Sequence, residues 1–249
     1  MFPQMKSEDP IPNCALRIIS WFVAVACLVL SVAAQDHEAV KPVPRNGSWM
    51  KRHESLNERV KQGNVDLIFI GDSITHGWEN VGKSVWAKTY AERNAVNLGI
   101  AGDRTQHVLW RLEHGNIDGI KPKLAVIMIG TNNSGTNTSE QIADGIAAIV
   151  KKVRDKLPET KILLLAILPR GSDENNIKRK ANAATNAMIA KLADGNRIEY
   201  LDIGPKFLDD KGALNRDMMP DLRHLSAAAY KIWADSIEEH VARHLGETK

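Results

Sequence analysis

The chain has 249 residues, with 33 Lys and Arg against 30 Asp and Glu and a formal charge of +3 at pH 7. The two signs are interspersed without a long basic run, which gives nucleic-acid binding little support. Both cysteines, Cys14 and Cys27, precede residue 35. The rest of the chain therefore has no disulfide, zinc-thiolate site or cysteine nucleophile.

In chain order, residues 18–34 carry no charge, follow Lys6 and Arg17, and end in Val32-Ala33-Ala34. That pattern predicts a secretory signal peptide over residues 1–34 and an exported protein, periplasmic or extracellular. An uncleaved membrane anchor is the alternative, because the run has the length of a short spanning helix. After cleavage no stable membrane insertion is expected. Residues 35–62 read as a polar arm with Pro42, Pro44 and Gly47, then a helical pattern from Trp49 with Met50, His53, Leu56 and Val60 on one stripe. Residues 63–249 read as one domain, and nothing in them repeats at a fixed period.

Five short apolar runs predict strands near residues 66–70, 95–98, 124–129, 162–167 and 198–201, each buried on both faces. Helical patterns fall between them. Thr138-Ser139-Glu140-Gln141 is a helix start, Ile142, Ile146, Ile149, Val150 and Val153 follow at helical spacing, and Pro158 stops the helix. An alanine-rich helix is expected over 174–193. A last one is expected over 226–245, with Tyr230, Trp233, Ile237 and Val241 on one stripe. Alternating strands and helices imply a parallel α/β sheet covered on both faces.

Three predicted strands end in loops rich in polar and small residues: Gly71-Asp72-Ser73, Asn97 through Asp103, and Gly130-Thr131-Asn132-Asn133. Parallel strands bring such loops together at one edge of the sheet. Asp221-Leu222-Arg223-His224 lies just before the last helix. Serine, aspartate and histidine in that order are the parts of an activated nucleophile. The Gly-x-Ser-x-Gly elbow of α/β-hydrolases is absent, because Thr75 stands two residues after Ser73.

Four separated blocks, Ser73, Gly102, Asn132 and His224, resemble those of the SGNH (GDSL-type) hydrolases. Residues 97–112, Ile120-Lys121-Pro122-Lys123 and Leu168-Pro169-Arg170-Gly171 are similar to the catalytic α-subunits of platelet-activating-factor acetylhydrolase IB and their bacterial relatives. The resemblance spans roughly residues 64–245. It implies a three-layer α/β/α flavodoxin-like fold with a five-stranded sheet in the order 2-1-3-4-5. It also implies catalysis by Ser73, Asp221 and His224, an oxyanion hole from Ser73, Gly102 and Asn132, and no metal or organic cofactor. A homodimer is expected by family analogy alone.

The expected activity is hydrolysis of short acyl esters, acetyl first, with an acetylated carbohydrate or other small acetyl ester as substrate. A phospholipid acetylhydrolase or lysophospholipase is one alternative, and a non-catalytic binding module on the same fold is another. Asp72 reads as structural. His240 and His244, four apart on the last helix, read as a solvated face rather than a metal site. His76, Arg104 and Arg170 are cleft candidates. Arg223 stands where an aliphatic residue is common in the subgroup, so the rim of the cleft is expected to differ there.

Overall fold

A computed structural model describes residues 37–247. The predicted signal peptide lies outside the described residues. Five parallel strands form one sheet in the order β2-β1-β3-β4-β5, as expected. They are β1 (Leu67–Gly71), β2 (Ala95–Asn97), β3 (Leu124–Met128), β4 (Lys161–Leu165) and β5 (Ile198–Leu201).

β1 and β3 are buried throughout, which explains their unbroken apolar runs. Their side chains alternate between two cores. Ile68, Ile70, Ala125 and Ile127 face one side, with α1 (Ser48–Lys61), α4 (Thr105–Glu113) and α5 (Ser139–Lys156). Leu67, Phe69, Leu124 and Val126 face the other, with Trp78, Tyr90 and the helix α7 (Ala227–Leu245). The expectation that every strand is buried on both faces fails at β5, where Glu199, Tyr200 and Leu201 are only half-buried. β5 pairs only with β4, at the sheet edge.

Three helices follow the sequence pattern closely. α1 buries Trp49, His53, Leu56 and Val60, so the stripe includes Trp49 where Met50 was expected. α5 opens with the Thr138–Gln141 capping box and buries Ile142, Ile146, Ile149, Val150 and Val153. α7 is capped by the Ser226 hydroxyl, which accepts from Ala229 N–H. The alanine-rich helix α6 is shorter than expected, Ile177–Ile189, because Asn176 caps it by accepting from the N–H groups of Lys178 and Arg179. The short helix α3 (Lys83–Thr89) buries no residue completely and so left no clear periodic pattern. No helix among the described residues is long and apolar enough to cross a membrane.

The arm ahead of α1 lies on the domain. Thr105 Oγ1 donates to the Ala39 carbonyl at 2.8 Å, and Val43 N–H donates to Gln106 O at 3.2 Å. This brings Arg45 to the loop after β2.

Candidate active site

The loops after β2, β1 and β3 meet at the carboxyl edge of the sheet. The strand order reverses there between β1 and β3, where open α/β sheets bind ligands. β1 ends at Gly71, which cannot carry a side chain: a Cβ would come within 2.1 Å of Thr75 Oγ1 and 2.5 Å of the Met128 carbonyl. Asp72 follows, and Oδ1 accepts from Ile74 N–H at 3.0 Å, which starts the single-turn helix α2 (Ser73–His76). Tyr230 of α7 donates to the Ile74 carbonyl at 2.6 Å and ties that turn to the last helix. Ser73 sits at the first helical position, so its N–H is one of the donors a helix start leaves without an intrahelical partner.

Ser73 Oγ lies 2.9 Å from His224 Nε2, although 151 positions separate the two residues. His224 Nδ1 lies 2.6 Å from Asp221 Oδ2. Asp221 Oδ1 accepts from the backbone N–H groups of His224 at 2.7 Å and Arg223 at 3.0 Å. Leu222, between them, has φ +58°, an uncommon conformation for a branched side chain that lets the loop fold back on Asp221. Burial works to raise the Asp221 pKa, but the hydrogen bonds from His224 outweigh it and hold the carboxyl at about 2. The carboxylate is therefore ionised throughout the neutral range and accepts Nδ1–H. The Nε2 lone pair is then left to face the serine.

Gly102 and Asn132 lie on the loops after β2 and β3. Gly102 has φ +79°, and a Cβ there would lie 3.1 Å from an Arg45 guanidinium nitrogen. The Asn132 amide donates one hydrogen to the Asp103 carbonyl at 2.8 Å. Its second hydrogen is left for another acceptor. Arg45 Nη1 donates to the Ala101 carbonyl at 2.9 Å. That carbonyl belongs to the peptide unit whose N–H is Gly102's, so the guanidinium both orients and polarises the donor.

A buried polar network lies beneath these donors. Asp103 is fully buried and accepts from Trp49 Nε1 at 2.6 Å and Arg111 Nε at 2.9 Å. Arg111, also fully buried, bonds Asn116 Oδ1 as well. Asn133, next to Asn132, is fully buried too: its Oδ1 accepts from Thr105 N–H at 3.1 Å, and its Nδ2 donates to Asn137 Oδ1 at 3.0 Å. None of Arg45, Asp103, Arg111 or Asn133 was singled out from the sequence. Asp103 and Arg111 fall within the 97–112 block, and Asn133 adjoins Asn132.

The remaining candidates have plainer surroundings. Asp72 is buried, and the loss of solvent pushes its carboxyl up to about 7. His76 is half-buried, and burial followed by the nearby Arg52 lowers its pKa. Arg170 Nη1 donates to the Thr131 carbonyl at 3.0 Å, beside Asn132. Arg104 stands at the N-cap of α4, where its N–H donates to His107 Nδ1 at 3.0 Å. His240 and His244 are not a solvated face. They lie 2.7 and 2.8 Å from the two Glu199 oxygens, because the half-buried edge strand β5 turns that carboxylate toward α7. Among the described residues no group of three or more His, Cys, Asp or Glu could hold a metal ion.

Comparisons with known proteins identify the chain as an SGNH-type hydrolase. The chain belongs to the GDSL-like lipase/acylhydrolase family, whose model matches residues 69–232. As a member it is a hydrolase that acts on esters. It is 35% identical over 204 residues to human platelet-activating factor acetylhydrolase IB subunit alpha1, covering 80% of this chain and 87% of the relative. It is also 35% identical over 220 residues to the rat alpha2 subunit, covering 87% and 93%. A GDSL-like lipase from Bacteroides thetaiotaomicron shares the fold with a TM-score of 0.60 at 21% identity, over 78% of this chain and 97% of that one. The acetylxylan esterase Axe2 from Geobacillus stearothermophilus does so at 0.57 and 19%, over 75% and 96%.

Proposed function

We propose that the protein is a serine esterase of short acyl esters, acetyl first, in which Ser73, His224 and Asp221 act as a triad. The observation that carries this reading is the continuous chain of contacts from Asp221 Oδ2 through the His224 ring to Ser73 Oγ, at 2.6 and 2.9 Å. A serine hydroxyl is a weak nucleophile until a neighbouring base takes its proton. With Nδ1–H held by Asp221, Nε2 accepts the Ser73 proton as Oγ attacks the ester carbonyl. The carbonyl oxygen gains negative charge and is received by the N–H groups of Ser73 and Gly102 and by the free Asn132 amide hydrogen. Nε2–H then protonates the departing alcohol. Water attacks the acyl-enzyme by the same route in reverse, with His224 again as the base.

The preferred substrate is an acetylated carbohydrate or other small acetyl ester. The exported location expected from the leader supports it, as does the fold shared with an acetylxylan esterase. Cleavage of the acetyl group from an ether phospholipid is the second reading, favoured by the names of the relatives at 35% identity. The test compares hydrolysis of p-nitrophenyl acetate by wild type and Ser73→Ala, followed by a panel of acetylated sugars, acetylated xylan fragments and the ether phospholipid. Ser73→Ala should lose turnover by about 10⁴–10⁶-fold. Equal rates would sink the assignment of Ser73. No measurable turnover of any ester by wild type would favour a non-catalytic binding module.

A further inference from the structure

Beside the triad lies a groove of about 440 Å³, formed by the loop after β4, the first turn of α6 and the loop that carries His224. Three of its lining residues are cations: Arg170, Lys178 and Arg223. The one carboxylate is Asp221, whose two oxygens are already committed to the His224 ring and to the backbone N–H groups of Arg223 and His224. We infer that this groove binds an anionic group, a carboxylate or phosphate, on the alcohol portion of the ester. The inference rests on the esterase reading above and names the substrate class of that same site.

Charge balance supports it. Burial, followed by the nearby Arg223, disfavours the charge on Arg170. Asp72, the other acid near both, is buried and holds its proton up to about pH 7, so it offsets them only in part. The side chains of Arg223 and Lys178 make no hydrogen bond or ion pair among the described residues. Arg170 uses only Nη1, on Thr131, and keeps its other donors. Two arginines elsewhere on the surface show the paired alternative. Arg93 bonds both Glu238 oxygens and Glu247, and Arg52 bonds both Glu79 oxygens. Two unpaired guanidinium-bearing loops beside a nucleophile form a positive field in a concave, partly desolvated place. A planar fork of donors suits a carboxylate or phosphate. The first turn of α6 adds the positive end of its dipole.

The side of the scissile bond follows from the proton path. His224 Nε2 gives its proton to the leaving oxygen, so the alcohol departs past His224. The groove lies on that side, lined by Asp221 and Arg223, which stand just before His224 on the same loop. Ile177, 79% exposed at the groove edge, offers an apolar surface for the carbon skeleton that bears the anion.

The test measures kcat/KM for four esters: neutral phenyl acetate, 4-acetoxybenzoate, 4-acetoxyphenyl phosphate, and monophenyl succinate, whose anion is on the acyl side. The readout is the ratio of each anionic ester to phenyl acetate within one protein, so differences in folding or intrinsic rate cancel. In Arg223→Gln, and less so in Lys178→Gln, the two alcohol-side ratios should fall about tenfold, and in wild type they should shrink in 0.5 M NaCl. The larger of the two wild-type ratios tells carboxylate from phosphate. Alcohol-side ratios unchanged within about twofold in both variants would overturn the subsite. So would a fall confined to monophenyl succinate. If no protein turns over any ester, the esterase reading fails, and the subsite is judged by calorimetric binding of 4-hydroxybenzoate and 4-hydroxyphenyl phosphate. Weaker binding to Arg223→Gln then supports it, and equal binding contradicts it.

Discussion

The two sides of the candidate site are held in different ways. The donor side, Gly102 and Asn132, rests on fully buried polar residues: Asp103, Arg111 and Asn133. The base side, Asp221 and His224, stands on a surface loop, with the Asp221 side chain 51% exposed. Preorganised donors must not move as charge develops, and a dry, fully bonded network provides that rigidity. In the proposed mechanism the base must exchange protons and let the alcohol leave, so a loop held by a few backbone bonds suits it. One consequence is that damage on the two sides should read out differently: activity alone on the base side, activity and stability together on the donor side.

After Ser73→Ala, the largest effect is expected at Asp221→Asn. It should lower kcat by about 10³–10⁴ while the melting temperature stays within a degree or two, because an exposed side chain adds little to the core. A large loss of stability would blur the contrast between the two sides. Arg111→Met breaks the buried pair with Asp103 and should cost about 3–5 kcal/mol in chemical denaturation. Turnover should fall with it, since Asp103 carries the carbonyl that positions Asn132. Normal stability in that variant would mean that the network does not brace the donors. Asn132→Ala should reduce kcat by about 10²–10³ with KM little changed, as expected for a donor used only in the transition state.

Asp72 sits between the two sides, and its titration gives a pH prediction. Its carboxyl ionises near pH 3.8 when unfolded and at about 7 when folded. Between those values the unfolded chain binds fewer protons, so stability falls as pH rises through this window and the loss is complete above it. Asp72→Asn keeps an acceptor for Ile74 N–H and should be more stable than wild type at pH 8, by on the order of 2–4 kcal/mol. At pH 4 the two should match. The opposite order at pH 8 would mean that the ionised carboxylate is stabilised in place. The smallest effect is expected at Arg45→Ala: about a tenfold loss in kcat from one charge-assisted bond to the Ala101 carbonyl, with Arg45→Lys recovering part of it.

Much of this was legible in the sequence. The parallel sheet follows from the alternating strands and helices, its order from the resemblance to the SGNH hydrolases, and the contact of Ser73 with His224 and Asp221 from their order along the chain. What was not legible depends on contacts between residues far apart in the chain. Arg45 reads as part of a polar arm until the fold carries it 56 positions onward to Ala101. Arg111 looks like a helix-surface arginine, yet it is fully buried because Asp103 and Asn116 satisfy it. His240 and His244 read as solvated because the sequence does not reveal that edge strand β5 turns Glu199 toward them.

The most direct test of the central claim is covalent labelling with a fluorophosphonate, followed by intact-mass and peptide mass spectrometry. A serine activated by His224 should take one adduct per chain, on the peptide that contains Ser73. Ser73→Ala should take none, and His224→Ala should label at least about a hundredfold more slowly. An adduct on another residue, or equal labelling of wild type and His224→Ala, would contradict it.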